Sequence, residues 1–317
     1  MDKSSFRSRY LTSNCQHISC ILRFKMVLRS CSLLIIVFLG SFCEKYPADA
    51  LPIAPSPYAE IESTIRRKYD VYAVFKWDQY TQLLDKLSQS KFNVLPNNEM
   101  RNTFDDSKVI VGLRHDVDFN PFKALEMAKI EKVYGIRATY YFLATAEYYG
   151  NFRNNKIVRS TGIEDLLKEI HKTGSEIGIH NDLLTIMIIY QLDPFLFNQE
   201  EIAFYKSLRI RINGTAAHGS PLAKTTIPNY QIFSDFAKSD SVEYQGKKYP
   251  LGKYSLKDYG FKYEAYFIDY GTYFSDSGGK WNDPEGFAGI LKKLDSSKPG
   301  DRILILVHAD WWGRTSK

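Results

Sequence analysis

The sequence sets ionisable residues where an apolar segment ends, since Val109–Leu113 leads directly into Arg114-His115-Asp116-Val117-Asp118. Side chains alternate along an extended chain, so Arg114, Asp116 and Asp118 share one face while His115 and Val117 take the other. Two carboxylates on one face repel each other. A bound cation relieves the repulsion, with one carboxylate as ligand and the other free as a base. The spacing equally suits a surface turn held by an Arg–Asp ion pair, and a D-x-D alone does not decide between the two. Two more apolar runs end in imidazoles, Glu176-Ile177-Gly178-Ile179-His180 and Leu304-Ile305-Leu306-Val307-His308. A further histidine lies in Ala217-His218-Gly219-Ser220-Pro221, after the strand-like Arg209–Asn213. A single histidine after an apolar run is more often structural than catalytic. Three of the chain's six, His180, His218 and His308, fall at or just past strand ends, with His115 beside the carboxylates, and that coincidence favours a site.

The elements that would position these residues follow from periodicity. Val109–Leu113, Arg137–Leu143, Ser175–His180 and Ile303–His308 read as buried strands. Between them, an amphipathic stretch near Trp77–Leu87 and the segments Pro121–Tyr134 and Gln199–Leu208 read as helices. Pro121 stands near the start of its helix and Gly135 just past the end. Thr161-Gly162-Ile163-Glu164 has a capping-box pattern ahead of Ile163, Leu166, Leu167 and Ile170 at helical spacing, and Gly174 ends that helix. Strands alternating with helices predict a parallel α/β fold, in which side chains at the C-terminal strand ends line the site.

The 317 residues, 44% apolar and 15% aromatic, suffice for a large core and exclude disordered, collagen-like and coiled-coil classes. The net charge of +6 is concentrated near the start, because residues 1–50 hold 7 of the 42 Lys/Arg but 3 of the 36 Asp/Glu. The nearly balanced remainder gives no electrostatic case for a nucleic-acid partner. All four cysteines, Cys15, Cys20, Cys31 and Cys43, precede residue 50, which excludes a disulfide or cysteine-zinc site in the body.

Residues 1–50 read as a targeting segment. Arg23, Lys25 and Arg29 precede the apolar run LLIIVFL at 33–39, too short to span a bilayer but suited to a signal peptide, and Ala48-Asp49-Ala50 supplies an A-x-A cleavage site. Met26 offers an alternative start. Gly40-Ser41-Phe42-Cys43 forms a loose lipoprotein box, so that membrane attachment through a lipid on Cys43 is the rival reading. Residues 51–57, LPIAPSP, form a proline-rich linker, and 58–317 read as one catalytic domain of an exported protein.

The run LRHDVDFNPFKALEMAKIEKVYGIRATYYF, then GSEIGIHNDL, AAHGSP and ILILVH, resembles the polysaccharide deacetylase family over roughly residues 105–310, in its RHDVD variant. The resemblance implies a distorted (β/α) barrel and a carbohydrate esterase that removes N- or O-acetyl groups with a divalent metal, commonly zinc. By the same resemblance Asp116 is the general base, Asp118 and His180 are metal ligands, and His308 is the general acid. The family's second motif places another ligand four residues after its first histidine, where this chain has Leu184. Leucine cannot ligate, so His218 or Asp182 must replace it. Imidazole chemistry slightly favours His218, and proximity in sequence speaks for Asp182. His218 also stands near where many relatives carry an Arg that orients the base.

Trp311 and Trp312, just after His308, are candidate platforms for an acetylated carbohydrate, with Tyr266, Tyr270 and Tyr273 as possible additions. Most other aromatics are core. An inactive carbohydrate-binding member of the same fold is the alternative to an enzyme, and stoichiometric metal separates the two. A nucleophilic hydrolase is disfavoured by the lack of G-x-S-x-G and of body cysteines.

Overall fold

The computed structural model describes residues 59–313. The expected leader at 1–50, including Cys43, the linker at 51–57 and the tail at 314–317 lie outside the described residues. All described residues belong to one compact unit.

In chain order the strands are β1 (Phe92–Leu95), β2 (Val109–Val117), β3 (Thr139–Leu143), β4 (Gly150–Arg153), β5 (Lys156–Arg159), β6 (Glu176–Asn181), β7 (Gly214–Ala217), β8 (Ser241–Tyr244), β9 (Lys247–Pro250), β10 (Tyr263–Glu264), β11 (Thr272–Ser275) and β12 (Arg302–His308). The pairs β4–β5 and β8–β9 are antiparallel two-stranded ribbons. The other eight form one parallel sheet in the order β10-β7-β6-β3-β2-β12-β11, with β1 paired to the first half of β2. Parallel neighbours require crossovers. The helices Pro121–Val133, Ile163–His171, Pro194–Ser207 and Gly286–Ser296 supply them between β2 and β3, β3 and β6, β6 and β7, and β11 and β12.

The sheet curls into a half-barrel. Although β6 and β7 separate β3 from β10 in the sheet, Tyr141 Oη donates to Tyr263 Oη at 3.0 Å across the inner face. Alternation along each strand assigns the two faces. Val109, Val111, Leu113 and Val117 of β2 and Ile303, Ile305 and Val307 of β12 pack outward with the helices. Ile110, Tyr141, Ala216, Tyr263 and Leu304 form the separate inner cluster. Arg114, Asp116 and His308 carry the parity of Ile110 and Leu304, so β2 and β12 deliver them to the inner face at the C-terminal end.

Several boundaries differ from expectation. The strand predicted over Val109–Leu113 continues through Val117, buried at all nine positions, so that Asp116 lies inside it. No capping box forms at Thr161–Glu164, because Gly162 takes the N-cap position with φ of +84° and has no side chain to offer. The strand expected at Arg209–Asn213 begins only at Gly214, where Gly-Thr-Ala-Ala carries little strand propensity. The helix expected at Gln199–Leu208 starts earlier, at Pro194, with Asp193 Oδ1 accepting from the N–H groups of Phe195 and Leu196.

Candidate functional site

Register brings the strand-end residues together. His308 of β12 sits directly opposite Asp116 of β2, and His180 of β6 opposite Leu143 of β3. Asp118 follows β2 at the next position on the same face, and His218 follows β7.

Asp118, His180 and His218 point ligand atoms at one spot, all within 4.8 Å of one another. His180 Nε2 lies 3.2 Å and His218 Nε2 3.9 Å from Asp118 Oδ1. Asp118 Oδ1 is buried without a hydrogen-bond partner, which a well-satisfied structural carboxylate would not be. His180 Nδ1 is 2.8 Å from the Ala216 carbonyl, so that nitrogen carries the proton and Nε2 presents its lone pair to the site. Burial alone would raise the Asp118 carboxyl, but hydrogen bonding and charge from His180, with His308 and His218 beyond, hold it far below the usual range. One ionised carboxylate and two imidazoles make a donor set that fits a divalent ion.

The two sequence alternatives for the third position take different places. Asp182 stands behind His218, its Oδ2 3.5 Å from Nδ1, while His218 turns Nε2 toward Asp118. Both Asp182 oxygens are held from elsewhere, Oδ2 by Thr145 Oγ1 at 2.8 Å and Oδ1 by Thr185 Oγ1 at 2.8 Å and Asn229 Nδ2 at 3.1 Å. Asp182 thus orients an imidazole, the usual task of a carboxylate behind a metal-facing histidine. Burial works against the His218 imidazolium, and the Asp182 and Asp118 carboxylates outweigh it and raise its pKa. Leu184 is fully buried, its N–H donating to Asn229 Oδ1 at 2.9 Å.

Asp116 is gripped by Arg114 in a bidentate pair, Nε to Oδ1 at 2.8 Å and Nη2 to Oδ2 at 2.7 Å. Both side chains are buried. Burial would raise the Asp116 carboxyl, but the Arg114 guanidinium, with His180 beside it, holds it below the usual range. The result is an ionised carboxylate next to the metal-facing group, its Oδ2 3.6 Å from His180 Nε2. The ion pair and the acidic site, rival readings of the motif, coexist. The Arg114 guanidinium in turn sits 4.6 Å from the ring centroid of Tyr266.

His308 has a carboxylate that went unnoticed in the sequence. Asp276, one residue past β11, places Oδ1 2.7 Å from His308 Nδ1. Its Oδ2 accepts from Trp312 Nε1 at 2.8 Å. Burial disfavours the imidazolium, yet Asp276 outweighs it and pushes the pKa up to about 9. The available signal was a strand-like Tyr273-Phe274-Ser275 ending in a carboxylate, the pattern already noted for the histidines. Asp310 was also missed: it is buried, one oxygen has no partner, and burial together with the nearby Asp118 charge pushes it up to about 7.

The expected tryptophan platform needs correction. Trp312 has no exposed surface; it packs against Phe75 and Tyr80, with ring centroids 4.9 and 5.2 Å away, and spends its N–H on Asp276. It cannot stack on a ligand. Trp311 is half-buried. Tyr270 and Tyr273 pack against the inner cluster. His115 lies on the outer face, 2.6 Å from Glu131 Oε1 and stacked on Tyr140. The open space beside the site is a cavity of about 550 Å³, reached by Asp118 and His218 and lined also by Tyr69, Phe119, Tyr190 and Tyr244.

Compared with known proteins, the chain matches no family model and no curated protein.

Proposed function

We propose that this chain is an exported, zinc-dependent hydrolase of the polysaccharide deacetylase type that removes acetyl groups from a carbohydrate. The observation that carries the reading is the convergence of Asp118, His180 and His218 with an ionised Asp116 and a protonated His308 beside them. The two His and one Asp would hold the ion. When bound, a divalent ion supplies Lewis acidity and lowers the pKa of water at the site.

The chain's own residues divide the proton work. Asp116, fixed by Arg114, accepts a proton from the attacking water, whose oxygen bonds to the acetyl carbonyl carbon. His308, kept protonated by Asp276, donates to the departing amine or alcohol as the C–N or C–O bond breaks, and acetate is left. The groups thus have opposite states at neutral pH, a carboxylate with a lowered pKa and an imidazole with a raised one. The His180 and His218 imidazoles are held in place by the Ala216 carbonyl and by Asp182.

The test is metal content of the purified protein together with acetate release from acetylated oligosaccharides, with zinc and with chelator. Stoichiometric metal and chelator-sensitive acetate release are expected. Protein without metal that binds glycans unchanged would overturn the enzyme in favour of the inactive binding member.

A further inference from the structure

The cavity beside the site is walled by aromatic rings and lacks cations. Phe119, the residue after Asp118, stacks on Tyr69 with centroids 5.2 Å apart and planes 16° from parallel, and Phe119 is 41% exposed. Tyr190, backed by Phe152 at 3.8 Å, and Tyr244 also line it, both half-buried. Its carboxylates are Asp118, Glu147 and Asp182, and no Lys or Arg is among the lining residues. Lys68 approaches from outside but pairs with Glu147, which also accepts from Tyr69 Oη at 2.9 Å. His218, the lone lining imidazole, is turned between Asp118 and Asp182.

An anionic ligand group brought into this space would lose its water and find no free cation, and a buried charge without a partner is costly. A pyranose ring needs no counter-charge, because its C–H faces pack on aromatic rings. Ser220, Thr225 and the tyrosine hydroxyls offer polar contacts along the same wall.

We propose that this groove is a glycan subsite selecting uncharged pyranosyl chains, with the acetylated unit at Asp118 and a neighbouring unit against Phe119, and that it discriminates against uronate and sulfated glycans. The assignment rests on the deacetylase reading above. Phe119, not either tryptophan, then provides the exposed stacking face nearest the candidate metal ligands.

The test is calorimetric binding to the full chain carrying Asp116→Asn, with zinc, using tri-N-acetylchitotriose as neutral probe and an acetylated mannuronate trimer as anionic probe. The neutral probe is expected to bind roughly tenfold tighter or more. Adding Phe119→Ala is expected to weaken the neutral probe roughly three- to tenfold, and Phe119→Tyr to preserve it. Equal or tighter binding of the anionic probe, no binding of either, or unchanged affinity in Phe119→Ala overturns the proposal. Hydrolysis of 4-nitrophenyl acetate by the parent protein with zinc reads the catalytic centre without the groove. Turnover there with failed selectivity overturns the subsite alone, and selective binding without any turnover overturns the hydrolase alone.

Discussion

Asp276 holds His308 at two points, accepting from its backbone N–H at 2.9 Å and approaching its Nδ1 at 2.7 Å through the same Oδ1. The carboxylate therefore fixes both where the imidazole stands and which nitrogen is turned away from the site.

The pH dependence follows from this pair. His308 has a folded pKa raised to about 9, so it is protonated at neutral pH and loses its proton as pH rises. The alkaline limb of kcat/KM is expected at or below about pH 9, because a bound cation adds positive charge nearby. In Asp276→Asn burial is no longer outweighed, and the limb should move toward acid by about one unit or more. Trp312→Phe removes one donor to Asp276 but leaves the charge, so its limb should stay close to the parent's. Stability obeys the same sign: the pair's contribution is full below the unfolded value of about 6.5 and is lost as pH rises through about 9. An Asp276→Asn limb identical to the parent's would remove His308 from the acid role.

Asp116→Asn separates the base from the ligands. The amide keeps the size but cannot take a proton, so zinc should remain bound while turnover of an acetylated sugar falls by roughly 10²-fold or more. Asp118→Asn should lose activity and metal together, and added zinc should restore part of both. Wild-type turnover in Asp116→Asn would show that another group is the base.

Metal affinity grades the residues around the triad. Removing His180 or His218 leaves two protein ligands, so His180→Ala and His218→Ala should abolish stoichiometric zinc in the purified protein. Asp182→Ala leaves all three ligands and loosens His218 alone, for an expected drop of about 10- to 100-fold in zinc affinity. Complete loss in Asp182→Ala with retention in His218→Ala would reverse the two roles.

What the sequence made legible was the set of strand ends. His180, His218, His308, Asp116 and Asp118 could be nominated because each follows, or closes, a run whose apolar character marks it as strand. The partners were harder. Asp276 is 32 positions from His308, and its strand neighbours β12 only through a crossover, so no local pattern joins them. Asp182 looked like a ligand because sequence distance to His180 is short, whereas the distance that matters is to His218, across the β6–β7 pairing. Trp312 misled for the reverse reason: tethering to His308 placed it near the site, but the turn at Ala309–Trp311 sends its ring into the core.

The inner face gives the last prediction. Gly178 lies two residues before His180 on the same face, and a Cβ there would sit 2.4 Å from Tyr141 Cε1 and 2.9 Å from the Gly214 carbonyl oxygen. Tyr141 cannot retreat, since its hydroxyl is tied to Asn97 and Tyr263 at 3.0 Å each. Gly178→Ala must therefore push β6 or the ring aside, an overpacking cost of about 1–3 kcal/mol. Each kcal/mol should lower Tm by roughly 2–4 °C. Because the displaced strand carries His180, zinc affinity should weaken as well. Gly219→Ala is the control: a Cβ there meets only Lys224 Cε at 3.9 Å, so Tm should stay within about 1 °C, the usual result for an unstrained surface change. A Gly178→Ala protein with parental Tm and zinc affinity would show that the interior of the half-barrel is looser than the Tyr141 contact implies.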